Sequence, residues 1–346
     1  MFPHVTIIIL NWNGWKDTIE CLESLYQITY PNYTVVVVDN ASKDVSIEKI
    51  REYCEGKIKV ESKFFKNDGS NKPIKIIEYT REESSNDGKE FELENIDSNK
   101  KLILIRNEKN HGYAEGNNIG IKYVLKKFNP NYILLLNNDT VVDKNFIEEL
   151  VRTGDDNDSV GLLNPIIFEY KNPSRIQFSG EKISYFTGRM VRIKEAYSNN
   201  TEVIYSDIAS GACLLIKKVT IDKIGLLPTE YHLQWEDIDY SLNAQKNKLK
   251  CVCIKKSKIW HKHFSSIGEV SDTRIYYSIR NRFIFRYKYF NYLQFFCSTL
   301  FFIFVFGPLD LINFLIKSQD FKKIKIFYNG IKDGLIYIIN KNNDNH

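Results

Sequence analysis

Glu236-Asp237-Ile238-Asp239 places three carboxylates in one helical turn, directly after Trp235. Carboxylates crowded together resist ionisation, which raises their pKa. A carboxylate so tuned accepts a hydroxyl proton more readily in a transition state, making Asp237, with Glu236 beside it, a candidate general base. The ordinary alternative is a helix N-terminus, where the macrodipole favours acidic residues. The second candidate is Asp139, delivered through Asn137 and Asn138 by the apolar run Tyr132–Leu136. Such a run ending in Asn or Asp is commonly just a strand-to-turn junction. At the end of a buried parallel strand it would instead face the crevice where open α/β sheets bind ligands. The third is His261, in Trp260-His261-Lys262-His263. Two His at i, i+2 plus scattered cysteines do not make a zinc site. One His with a distant Asp suits a hard cation, Mg²⁺ or Mn²⁺, which takes one or two protein groups and fills its shell with substrate phosphates.

Polar residues also end the first two strands: Asn11 and Asn13 after one, Asp39 and Asn40 after the next. An acid after the second strand can bind ribose in a dinucleotide fold, but Asn11-Trp12-Asn13-Gly14-Trp15 lacks the glycine fingerprint that fold requires. A nucleotide held by side-chain amides, a carboxylate and backbone groups fits better. Asn and Asp also end strands for purely local reasons, though turn signals occur singly. One crevice with these groups, a metal-facing carboxylate and a base is equipped to displace a nucleoside diphosphate.

The elements that must position these groups are legible as patterns. Val5–Leu10 and Val35–Val38 are apolar, β-branched runs of the kind a strand buried on both faces requires. Asp17–Tyr26 between them has helical spacing, giving a βαβ unit. Leu102–Ile105 and Tyr132–Leu136 continue the sheet, with a helix reaching about Lys127 between them. Residues 57–100 are polar, with turn signals at Asn67-Asp68-Gly69 and Asn86-Asp87-Gly88, and predict an insertion of hairpin strands on one sheet edge, remote from the chemistry. Beyond Gly161 strands shorten: Ala209–Ile216 predicts a strand with close backbone approach at Gly211, Glu236–Lys246 a helix, and Cys251–Ile254 and Ile259–Trp260 two strands ending at His261.

The 346 residues, 43% hydrophobic, suit two lobes or a catalytic domain with an appendage. A net charge of +5 without interleaved basic and aromatic residues argues against nucleic acid. The six cysteines show no CxxC spacing and predict free thiols in a reducing compartment. The N-terminus enters an apolar strand at once, which predicts no signal peptide.

Taken in order, these segments resemble glycosyltransferase family 2, in its rhamnosyltransferase-like branch. The carriers are Val-Thr-Ile-Ile-Ile-Leu-Asn-Trp-Asn-Gly at 5–14, Val-Val-Asp-Asn-Ala-Ser at 37–42 and Asn-His-Gly-Tyr-Ala-Glu-Gly-Asn-Asn at 110–118. Leu-Leu-Asn-Asn-Asp-Thr at 135–140 stands where the family has its DxD-like motif. Ser-Gly-Ala-Cys at 210–213, Glu-Asp-Ile-Asp at 236–239, Trp-His-Lys at 260–262 and Tyr-Tyr-Ser-Ile-Arg-Asn at 276–281 follow. The resemblance implies a GT-A fold: α/β, with a mostly parallel central sheet flanked by helices. It implies a single, inverting displacement from a nucleotide-diphospho sugar to a glycan or lipid-linked glycan, with Asp237 as base. Asp139 and His261 would hold the divalent cation. Leu10, Asn11, Trp12, Asn13, Asp39, Asn40, Asn110, Gly112, Asn117 and Asn138 would bind the donor. Gly211, Trp235 and Asp239 would face the acceptor. The sequence departs from the family at Asn137-Asn138-Asp139, which has one carboxylate, and at Asn243, where Arg is usual.

The expected organisation is a GT-A domain at 1–270, with a nucleotide-sugar half to 150 and an acceptor half from 151, then a helical region at 271–346. Tyr289–Leu309 carries no charge; Gly307-Pro308 near its end is expected to break it, Leu309–Ile316 continues apolar, and Lys317, Lys322, Lys323 and Lys325 follow. An interfacial hairpin, a membrane span and core helices all match this pattern. Peripheral contact with the inner face of the cell membrane, from the cytoplasm, is the expectation. A scaffolding protein of the same fold is the alternative, favoured by the single carboxylate at 137–139 and opposed by the intact Glu236-Asp237. Trp235 could stack on a sugar or simply be buried beside a helix start.

Overall fold

The computed structural model describes residues 2–86, 88, 90–93, 95–193, 201–263 and 271–344. Strands and helices alternate at first: β1 (Val5–Asn11), α1 (Trp15–Leu25), β2 (Tyr33–Asp39), α2 (Ser46–Cys54), β3 (Lys75–Thr80), α3 (Arg81–Ser84), β4 (Lys101–Arg106), α4 (Gly112–Lys127) and β5 (Tyr132–Asn137). The five strands are parallel, in spatial order β5-β1-β2-β4-β3. Alternate side chains serve opposite layers. Ile7, Ile9, Val35 and Val37 pack with Leu22 and Ile50, whereas Ile8, Val36 and Val38 pack with Ile121 and Val124. That two-sided burial is why these strands are apolar at every position. α4 lies unusually close to β1: a Cβ on Gly120 would come within 2.8 Å of Ile8, and one on Gly116 within 2.7 Å of Leu10.

The chain continues through β6 (Thr140–Val142), α5 (Phe146–Asp155), β7 (Val160–Glu169), β8 (Ile176–Phe178), β9 (Glu181–Ser184), β10 (Arg189–Arg192), β11 (Val203–Ser206), β12 (Cys213–Lys217), α6 (Lys218–Ile224), α7 (Glu236–Lys246) and β13 (Lys250–His261). β12, β7, β13 and β11 extend the sheet beyond β5 with mixed pairing, and β9 and β10 form a separate ribbon. Register aligns the site. Asn11 stands opposite Asp39, Leu10 opposite Asn137, and His261 opposite Thr140, so three strand ends and the end of β13 meet at one edge.

Several expectations change in detail. Among the described residues the insertion contributes no hairpin to the sheet: β3 is a single edge strand, parallel to β4. Its Ile77 and Tyr79 supply apolar cover that the open edge of β4 needs, and Arg51 grips Glu78 with two bonds of 2.6 Å. Nor is the insertion wholly remote, because Phe64 stacks on Trp260 at 4.5 Å. Of the turn at 86–88, Asp87 lies outside the described residues. The strand at 213 starts later than expected because Ala209 N–H goes to Ser241 Oγ and Gly211 N–H to Asp237. The two strands before His261 are one, β13, with a register irregularity between Ile254 and Lys258. All six cysteines are free.

A domain boundary at 270/271 falls at the edge of residues outside the description. Beyond it lie α8 (Asp272–Tyr289), α9 (Tyr292–Phe301), a π-helical turn (Phe302–Phe306), α10 (Gly307–Ser318) and α11 (Lys322–Asp344). Gly307-Pro308 does not break the helix, which runs continuously over Tyr292–Ser318. Pro308 has no N–H and its ring crowds the preceding turn; the widened π turn before it accommodates both.

Candidate functional site

A cavity of about 870 Å³ opens at the carboxyl edge of the sheet. Leu10, Trp12, Asn40, Asn110, Gly112, Asn138, Asp139, Gly211, Trp235, Glu236, Asp237 and His261 all line it. Asp139 Oδ1 lies 3.1 Å from His261 Nε2. Gln177 Oε1 is 3.2 Å from the other ring nitrogen, Nδ1. An amide oxygen can only accept, so Nδ1 carries the proton there and Nε2 faces the carboxylate. This is the arrangement for sharing a proton or a cation, with Gln177 as the outer partner that orients the ring. Lys262 does not neutralise Asp139: its ammonium is held by Asp17 at 2.5 Å and Glu20 at 2.6 Å. Among the described residues no cluster of three or more His, Cys, Asp or Glu forms a protein-only metal cage. The pair therefore fits an Mg²⁺- or Mn²⁺-type ion, which takes few protein groups and relies on phosphate oxygens.

The polar strand ends form a hydrogen-bonded chain along the sheet edge. Asn138 Nδ2 donates to Thr18 Oγ1 (3.0 Å), Thr18 to Asn11 Oδ1 (2.7 Å), and Asn11 Nδ2 to Asp39 Oδ1 (2.7 Å). Ser42 closes it, donating its hydroxyl to Asp39 Oδ1 and its N–H to Oδ2. Asn11 and Asp39 consequently sit behind the cavity wall rather than on it. Asn13, at φ 50°, accepts from Lys43 N–H. Asn40 accepts from His111 N–H and donates to Asn110 Oδ1 and Gly112 O, which fixes the 110–112 loop on the wall. Asn117 is turned inward and donates to Tyr113 O.

Across the cavity, Asp237 accepts from Gly211 N–H at 2.9 Å and Ile238 N–H at 2.8 Å. Burial pushes its carboxyl above the usual range, and these two N–H groups partly offset the rise. Glu236 is raised by burial and by the charge of Asp237. Its Oε2 is buried and meets no hydrogen-bond donor. The loop delivering both is left-handed at His232 (φ 58°), Gln234 (φ 63°) and Trp235 (φ 78°). Non-glycine residues take that conformation only where surroundings enforce it. Asn281, fully buried on α8, does so by donating to the carbonyls of Tyr231 (2.8 Å), Leu233 (2.9 Å) and Gln234 (3.0 Å). Trp235 lines the cavity and also packs against Phe285 in the core. Asp239 is not brought to the cavity. Its carboxylate is spent on Tyr231 and Tyr289 hydroxyls (2.6 and 2.8 Å) and on Lys288.

The family model for glycosyl transferase family 2 matches residues 6–72 and 82–224, more than half of the chain. The chain belongs to that family. Low-salt glycan biosynthesis hexosyltransferase Agl10 of Haloferax volcanii is 25% identical over 177 residues, covering 51% of this chain and 57% of that protein. The chain thus spans little more than half the length of this relative. Among solved structures, GalNAc-T7 with UDP, GalNAc and Mn²⁺ aligns with TM-score 0.56 and 16% identity, covering 81% of this chain and 47% of the other. Mannosyltransferase PcManGT of Pyrobaculum calidifontis, in complex with GDP-Man and Mn²⁺, aligns with TM-score 0.52 and 13% identity, covering 99% and 87%. These likenesses establish a GT-A fold.

Some cavity residues of this glycosyl transferase family 2 chain were not evident in its sequence. Glu181, Gln177 and Arg192 come from the short strands after β7 and join the wall near His261 and Asp237. Glu181 is largely buried and raised by desolvation. Arg192 is anchored on the carbonyls of Ile176 and Gln177, so it braces the segment that orients His261. Tyr113 donates to Gly211 O at 2.7 Å, joining the 110–118 signature to the Asp237 side.

Proposed function

We propose that the chain is an inverting glycosyltransferase of the rhamnosyltransferase-like branch. It would move a sugar from a nucleotide-diphospho sugar to a hydroxyl of a glycan or lipid-linked glycan, in the cytoplasm. The observation that carries this reading is the shared cavity. Asp237, held by two N–H groups on one wall, opens onto the same space as the Asp139–His261 pair on the other. The acceptor hydroxyl loses its proton to Asp237 while its oxygen bonds to the anomeric carbon. The bond from that carbon to the diphosphate breaks on the opposite face, and the configuration inverts. A raised pKa suits this proton transfer. Asp139 and His261 would hold a divalent cation, which when bound neutralises charge on the departing diphosphate. Leu10, Trp12, Asn40, Asn110 and Gly112 would contact the nucleotide, with Asn11 and Asp39 holding that wall in shape. Gly211 and Trp235 would shape the acceptor side.

Screening nucleotide-diphospho sugars by thermal shift, with and without Mn²⁺, identifies the donor; turnover of that donor tests the reaction. Donor binding with no turnover under any acceptor or metal would favour the scaffolding alternative, for which the single carboxylate at 137–139 is the supporting observation.

A further inference from the structure

Helix Tyr292–Ser318 is 27 residues long and contains an 18-residue apolar window of mean hydropathy 2.1, yet only 11% of that window is buried. One stripe, through Phe302, Leu311 and Phe314, packs against α8 and α11. The other carries Leu293, Phe296, Leu300 and Ile303, three or four residues apart up to the π turn, and Ile312 and Ile316, four apart beyond it, all exposed. A soluble core helix would bury that second stripe, and an exposed patch of this kind marks an interaction surface. We propose that α9–α10 lies in the surface of an anionic lipid bilayer, with this stripe among the acyl chains and both helix ends on one side.

The geometry separates lying from crossing. α9 starts within three residues of the end of α8, and Lys323, in the first turn of α11 after the short link from α10, pairs with Asp272 at the start of α8. Midway, Arg282 holds Asp310 at 3.1 Å. The helix therefore runs back along α8, tied to it at both ends and in the middle. A helix that crosses must enter hydrocarbon about 30 Å thick. It would have to leave α8 or draw in its Arg280, Arg282, Arg286 and Lys288, which such a layer excludes. Lying flat needs neither. Lys317, Lys322 and Lys325 follow the apolar stretch, the charge that seats against anionic headgroups. The inference stands on this helix alone and does not depend on the chemistry proposed above.

The test is flotation of the full chain with phosphatidylcholine vesicles, with and without phosphatidylglycerol. The wild type is expected to float with the anionic vesicles and to be released by alkaline carbonate. In the combined variant Phe296→Gln, Leu300→Gln, Ile303→Gln and Ile312→Gln, binding should fall at least about tenfold. Its thermal unfolding midpoint should stay unchanged. Should that variant misfold, Lys317→Glu with Lys325→Glu reads the same surface, lowering binding several-fold on anionic vesicles only. Three results overturn the proposal. One is wild type that stays behind in detergent-free buffer. Another is a discrete dimer, abolished by the combined variant, that binds no vesicles. The last is carbonate-resistant insertion with α11 protected from protease inside sealed vesicles, which would mean a span.

Discussion

The two walls of the cavity are built on opposite principles. Behind the wall made by β1, β2 and β5, polar side chains answer one another: Asn138, Thr18, Asn11, Asp39 and Ser42 form one hydrogen-bonded chain. On the α7 wall, Glu236 has a buried oxygen with no donor, and Asp237, Glu236 and Glu181 are all raised by burial. A satisfied network rigidifies and positions; an under-satisfied carboxylate keeps affinity for a proton. The satisfied wall suits holding a ligand in register, the other moving a proton.

The sharpest way to break this contrast is to remove one carboxylate on each side. Asp237→Asn should lower turnover by roughly 10²–10⁴-fold, the usual scale of a lost general base. It should change the unfolding temperature little: removing a buried charge offsets the loss of one N–H bond, because Asn can still accept from Gly211 N–H but sets its NH2 against Ile238 N–H. Asp39→Ala should do the reverse, with a stability loss of about 2–3 kcal/mol from orphaned donors and a rise in donor KM. Steady-state kinetics beside thermal unfolding separates the two. Equal loss of stability in both variants would end the distinction.

Asp139→Ala tests the boundary between the walls. Turnover supported by Mn²⁺ should fall by at least about a hundredfold, a several-kcal/mol loss of charge stabilisation. Titrating Mn²⁺ against the variant by calorimetry in the presence of the donor checks whether affinity for the ion falls with it. Asn281 comes next in expected size. Asn281→Asp keeps its shape but sets a carboxylate against three carbonyls, and should relax the His232–Trp235 loop. A misplaced base costs kcat more than KM, on the order of tenfold to a hundredfold. A purely structural Asn281 would lower the fraction of active enzyme and leave the pH profile of the remainder unmoved.

Much of this arrangement was legible in the sequence. Strands buried on both faces must be apolar throughout, so β1, β2 and β5 announced themselves, and the residues after them had to share an edge. Asp139 follows from that logic and His261 from the end of a later strand, whereas Asp237 was marked by the crowding of carboxylates in Glu236-Asp237-Ile238-Asp239. The resemblance also implied an acceptor role for Asp239, but two residues along a helix is about 200° of rotation, so Asp237 and Asp239 face nearly opposite ways. The role of Asn281 was hidden because its partners are backbone carbonyls some 50 residues away, and carbonyls leave no trace in sequence. Glu181, Gln177 and Arg192 come from short, half-exposed strands without periodicity, and only tertiary pairing places them.

The smallest effect probes the origin of the raised carboxylates. Unfolded, Glu236 and Asp237 ionise in the ordinary range near pH 4. Folded, both hold their protons to higher pH. Between the ordinary range and the raised values the native state binds more protons than the unfolded chain. Stability is therefore greatest below the unfolded pKa and declines as pH rises through that window. Glu236→Gln removes one partner, so the variant should show a flatter stability–pH curve and, above the window, a higher unfolding temperature than wild type. The acidic limb of kcat/KM should stay in place, because the Asp237 carboxyl is raised by its own burial. Thermal unfolding across pH 4–8 reads the first effect without any substrate. A curve parallel to wild type would place the tuning in burial of Asp237 alone and leave Glu236 a bystander on the reactive wall.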